Sequence, residues 1–186
     1  MKFKGALVLS FLLLFGVFYG TASGDNSSHK ARVSIPDVAL LSLQFERNSG
    51  IEFLAEPQIA GDIIHLNTAK KSAVWLNYSS VSSNNKNRKV TATVAGSIPE
   101  GIIVKVKAGQ STGAGVGMLG KSNGLVRLSE SPTDVVSGIG SCYTGSGAQN
   151  GHLLSYELEI DEDLFYKNSE SKETTLQVVY TLTDDN

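Results

Sequence analysis

The chain has a single cysteine in 186 residues, Cys142, so no intrachain disulfide can form and a packed interior has to stabilise the fold. Histidines are equally sparse, with only His29, His65 and His152, and they are scattered along the chain. The one acidic run, Asp161-Glu162-Asp163, lacks the spaced ligands and the glycine of a calcium loop. No metal or other cofactor is therefore expected. Neither charge sign dominates, since 16 Lys and Arg stand against 18 Asp and Glu, and no basic stripe is present to follow a phosphate backbone. Nucleic acid is not an expected partner. Apolar spacing of three and four never persists, so no stable helix is expected.

Long apolar runs are also missing, except at the start. Lys2 and Lys4 precede an apolar stretch from Ala6 to Tyr19, and the small residues Gly20, Ala22 and Gly24 follow it. That order is the pattern of a secretory signal peptide. The run is short against the roughly 20 residues of a bilayer span. Residues 1–24 are read as the signal, with cleavage after Ala22 or Gly24, and no cysteine follows to carry a lipid. Residues 25–186 are read as a single β-sandwich domain, 186 − 24 = 162 residues long, with 16 − 2 = 14 basic side chains against 18 acidic. The expected location is secreted: periplasm, cell surface or outside the cell.

What the chain has in quantity is alternation of period two, the mark of half-buried strands. In HLLSYELEI, Leu154, Tyr156, Leu158 and Ile160 share one face, while Ser155, Glu157 and Glu159 share the other. In TTLQVVYTL the inward set is Leu176, Val178, Tyr180 and Leu182; in IIVKVK it is Ile102, Val104 and Val106. Further strands are expected at 41–45, 63–66, 74–79, 89–94, 124–129 and 135–139. About nine short strands, without helices to cover a parallel sheet, predict an all-β fold of two packed antiparallel sheets. A closed barrel is the alternative, because alternation does not distinguish the two.

Residues 115–122 read GVGMLGKS and match the phosphate-loop pattern G-x-x-x-x-G-K-[ST]. A working phosphate loop lies between a strand and a helix whose amino terminus faces the phosphates. Here NGLVRLS follows, a turn signal and then a β pattern. The stretch is expected to be a glycine-rich hairpin loop between Val106 and Leu125, and neither nucleotide nor dinucleotide is an expected partner. Cys142 sits in GIGSCYTGSG, but a nucleophilic thiol needs a lowered pKa and a nearby base, and no catalytic residue is assigned. Asn26-Ser27-Ser28 and Asn77-Tyr78-Ser79 fit the glycosylation acceptor by coincidence. Trp75 and Tyr78 could stack on sugars, but Trp75 is read as a core residue between the sheets.

Taken together, IPDVALL (35–41), WLNY (75–78), GIGSCYTGSG (138–147), NGHLLSY (150–156) and YTLTDD (180–185) resemble a group of uncharacterised secreted bacterial β-sandwich proteins. More remotely, the terminal strand ending near Tyr180 is similar to that of pilin subunits and the bacterial coat protein U domain. The resemblance implies an immunoglobulin-like sandwich and assembly by strand exchange, although the cysteine pair of typical pilins is missing. The expected function is thus a non-enzymatic structural, adhesive or assembly role in the cell envelope, with other envelope proteins or further copies of the chain as partners. In that role, a segment such as His29 to Ile35 would complete a neighbour's sheet. The alternative is a secreted module binding glycan or peptide through loops at one end of the scaffold. Its candidate residues are Tyr143, Asn150 and His152.

Overall fold

Alternating side chains become sheet faces in the computed structural model, which describes residues 30–46, 51–56, 59–70, 73–83, 86–168 and 173–185. The signal segment, Asn26 and His29 lie outside the described residues. Residues 30–34 have no regular secondary structure, and a compact unit begins at Ile35.

Among the described residues, eleven strands and one helix follow in order: β1 (Val38–Phe45), β2 (Glu52–Glu56), β3 (His65–Lys70), β4 (Val74–Val81), β5 (Arg88–Ala95), β6 (Ile102–Thr112), β7 (Val116–Ser122), β8 (Leu125–Arg127), β9 (Thr133–Tyr143), β10 (Gly151–Ile160), α1 (Glu162–Asn168) and β11 (Gln177–Asp184). All pairings are antiparallel. Nine strands form one continuous sheet, β11-β5-β9-β4-β10-β6-β8 with β1 on β4 and β7 on β9, while β2 and β3 form a separate ribbon. Because both halves bury side chains in one core, the sheet is folded into two layers, β1-β4-β10-β6-β8 and β11-β5-β9-β7. The hydrogen-bonded path ends at β8 and β11 without closing, so the fold is an all-β sandwich and the barrel alternative falls.

The predicted inward faces are the observed ones. Val104 and Val106 of β6, Leu154 of β10 and Tyr180 of β11 are buried in one cluster with Leu76 of β4, Val90 of β5 and Ile139 of β9. Leu158, Leu176, Val178 and Leu182 pack against that cluster. The Tyr156 and Tyr180 hydroxyls meet at 2.7 Å and join the layers. Burial raises both phenol pKa values.

The two layers share β4. Its outer edge pairs with β1 along its whole length. Its inner edge forks, because β10 pairs with Val74 to Leu76 and β9 with Ser79 and Ser80. At the fork Tyr78 has no strand partner on the inner edge, and Thr144 replaces one: its N–H donates to Tyr78 O at 3.0 Å, and its Oγ1 accepts from Tyr78 N at 2.9 Å. Thr144 is fully buried. The connection 144–150 between β9 and β10 is therefore held in the fork.

At one end of the sandwich the buried Arg88 ties four strands together. Its guanidinium donates to Asp184 Oδ1 at 3.1 Å, to Ser80 Oγ and Val81 O at 3.2 Å each, and to Val38 O.

Three sequence expectations are corrected. The glycine-rich stretch is not a hairpin loop: β6 continues to Thr112, and most of the stretch is β7, paired with β9. The lack of a Cβ at Gly117, where φ is positive, lets β7 come close, since a Cβ there would lie 2.3 Å from Ser141 O. A short helix, α1, is present. The acidic run Asp161-Glu162-Asp163 starts it, with Asp161 Oδ1 accepting from Leu164 N at 3.2 Å as a cap; Glu162 and Asp163 in the first turn and Lys167 in the last suit the helix dipole. Third, Trp75 alternates with the buried Val74 and Leu76 and lies half-buried on the outer face of β4, not between the sheets.

Candidate functional site

The three residues singled out as a binding set do not share one surface. Tyr143, at the end of β9, is 49% exposed and lies opposite Val116 of β7. Asn150 is used up internally. Its Oδ1 accepts from Ala114 N at 3.0 Å, and its Nδ2 donates to Ser146 O at 2.9 Å, so it ties the 144–150 connection to the β6–β7 turn. His152 is 1% exposed and out of a ligand's reach.

His152 instead belongs to an interior polar cluster. Its Nδ1 lies 2.8 Å from Gly109 O, and because a carbonyl only accepts, Nδ1 carries the hydrogen. Its Nε2 lies 2.7 Å from the Tyr78 hydroxyl, which also contacts Leu119 O, and the two rings stack at 5.6 Å. The cluster spans β4, β6, β7 and β10. Desolvation lowers the His152 pKa against the opposing pull of the Gly109 and Leu119 carbonyls, and burial raises that of Tyr78. Cys142 is buried nearby on β9. Its thiol pKa is pushed up by burial, the opposite of what a nucleophile needs.

Among the described residues no three His, Cys, Asp or Glu side chains gather as a metal site. The phosphate-loop letters Lys121 and Ser122 lie in β7, opposite Ser137 and Val136, with no helix following them.

Two surface features were not legible beforehand. One is a pocket of about 170 Å³ on β1 and β4, walled by Gly145 and Ser146. The other is a wider cleft of about 540 Å³ between residues 63–66, the end of β10 and α1, where the Tyr166 hydroxyl accepts from Ile64 N at 3.0 Å.

The sheet edges complete the picture. Beyond β4, no described strand pairs with β1; beyond β5, none pairs with β11. The Glu46 N–H bonds to Ala73 O, and the Asp185 N–H bonds to Asn87 O. Antiparallel pairs alternate between bonded and non-bonded. With the observed register, the backbone groups of Ala39, Leu41, Leu43 and Phe45, and of Val178, Tyr180, Leu182 and Asp184, therefore point to the open side.

β1 (VALLSLQF) has no charge and no proline, and Leu40 and Phe45 are 65% and 49% exposed. β11 has one charge, Asp184, already paired with Arg88. Neither edge has the inward charges, prolines or bulges that usually protect one. In comparisons with models of protein families, with curated proteins and with solved structures, nothing matches this chain.

Proposed function

We propose that this chain is an exported, non-enzymatic β-sandwich that serves a structural or adhesive role in the cell envelope and assembles with itself or with envelope neighbours by β-strand addition. The carrying observation is the pair of unprotected edges, β1 and β11, in a chain whose segment 30–35 is exposed and alternates in polarity. In that segment Ala31, Val33 and Ile35 alternate with Lys30, Arg32 and Ser34, and Val33 and Ile35 are 83% and 76% exposed. An alternating strand suits an open edge: its main chain supplies the hydrogen bonds, and alternate side chains find the apolar seam. The signal-like residues 1–24, the immunoglobulin-like expectation and the resemblance to secreted bacterial β-sandwich proteins and pilin subunits support the same reading.

Size-exclusion chromatography with light scattering tests it, comparing chains that begin at residue 25 and at residue 37. The longer form is expected to shift to higher mass as its concentration rises, and the shorter to stay monomeric. Monomers at every concentration in both forms would refute strand addition.

A further inference from the structure

The outer face of β1 and β4 carries an unmet hydrogen-bonding demand. Asn77 is 5% exposed; its Nδ2 donates to Asn150 O at 2.6 Å, while its Oδ1 is buried without a donor. The first bond fixes the amide's orientation, because a flipped side chain would put two oxygens in contact. An acceptor left unfilled in a protein interior keeps the full cost of its lost hydration, and natural proteins hold few of them. Among the described residues there are three buried side-chain polar atoms without a partner, and two belong to this face of β4: the acceptor Asn77 Oδ1 and, two residues away, the donor Trp75 Nε1.

Asn77 lines the 170 Å³ pocket together with Leu40, Ser42, Ser79, Gly145 and Ser146, and no lining residue is charged. Opposite one another in the ladder stand Leu40 and Ser79, then Ser42 and Asn77, so four of these side chains come from one sheet face. Ser42 Oγ accepts from Gln44 Nε2 at 2.9 Å, which leaves its own hydrogen free to donate.

We propose that this pocket is a binding site for a single neutral sugar ring. Sugar hydroxyls both donate and accept, as do the Ser42, Ser79 and Ser146 hydroxyls around them, and one of them would donate to Asn77 Oδ1. Leu40 supplies an apolar surface for the C–H face of the ring. The absence of charge in the lining disfavours an acidic or basic ligand. The volume is well under the ~300–1,000 Å³ of pockets that enclose drug-sized molecules, so the site takes one ring at a chain end. Asn77 Oδ1 is closed to solvent, so binding requires the pocket wall to open; Ser146, in that wall, is exposed.

The test is a set of ¹H–¹⁵N titrations of the whole chain with the methyl glycosides of glucose, mannose, galactose and N-acetylglucosamine, with glucuronate and a neutral tripeptide as controls. At least one neutral glycoside is expected to shift the amides of residues 40–42, 77–79 and 144–147, with a Kd of ~1–10 mM, at the weak end of the affinity scale. Asn77→Leu should abolish the shifts. Because that variant also loses the bond to Asn150, Ser146→Phe serves beside it: it fills the pocket from an exposed loop position, and should weaken binding at least tenfold without lowering Tm. The proposal fails if no neutral glycoside shifts these amides, if glucuronate or the tripeptide shifts them instead, or if Ser146→Phe leaves the titration unchanged.

Discussion

Two glycines on adjacent strands separate a docked β7 from a glycine-rich loop. Gly117 and Gly138 both have positive φ, 96° and 71°, so alanine is strained at either. That strain costs about 1–2 kcal/mol, partly offset by about 0.4–1 kcal/mol from the stiffer unfolded chain. The surroundings differ. A Cβ at Gly138 meets nothing within 4 Å, whereas one at Gly117 would lie 2.3 Å from Ser141 O and 2.9 Å from Cys142 Cα. Those are backbone atoms of β9, which also carries the buried Ile139 and Val136, so relief requires the strand to move. Such overpacking costs about 1–3 kcal/mol. Gly138→Ala should therefore destabilise by ~1 kcal/mol and Gly117→Ala by ~2–4 kcal/mol. Urea unfolding followed by far-UV circular dichroism measures both. A gap of 2 kcal/mol corresponds to about 4–8 °C in Tm for a domain of this size. Equal midpoints would mean that β7 does not lie against β9, and would reopen the phosphate-loop reading of residues 115–122. On the structure as described, magnesium ATP should leave the Tm unchanged.

Arg88→Met should cost ~2–4 kcal/mol in the same urea assay, because it leaves Val38 O, Ser80 Oγ and Val81 O short of a charged donor. The share from Asp184 is discounted because that side chain is 50% exposed; a loss under ~0.5 kcal/mol would refute the clamp. For His152, burial holds the folded pKa below the unfolded value of about 6.5. The unfolded chain therefore takes the proton first, and stability falls as the pH drops from about 6.5 toward the folded pKa. Unfolding midpoints measured between neutral and mildly acidic pH should fall less in His152→Gln than in the parent; identical slopes would refute a neutral buried imidazole.

The sandwich was legible because its main strands alternate cleanly. Leu154, Tyr156 and Leu158 against Ser155, Glu157 and Glu159 leave one choice of face, since a one-residue slip would exchange core for solvent. β7 was not legible. VGMLGKS buries no side chain completely, and its place is set by what Gly117 lacks, a Cβ, rather than by apolar side chains. Trp75 misled for a related reason. Val74, Trp75 and Leu76 form an unbroken apolar run, and size alone suggested the core, but the pleat sends every second residue outward. α1 is seven residues long, too short to show a helical period.

The polar sites stayed hidden for a topological reason. Tyr78 meets His152, and Asn77 meets Asn150, across more than seventy residues, and both contacts follow from the fork in β4. There the chain leaves one layer and enters the other, and the ladder has to break. A break in a ladder exposes backbone groups that something else must satisfy. Thr144 does so for Tyr78, and Asn150 O takes the Asn77 amide hydrogen, but nothing fills Asn77 Oδ1. The unmet acceptor thus lies where the sandwich geometry leaves hydrogen-bonding capacity over, and that is a reason to look for a ligand on this face of β4 before the wider cleft beside α1.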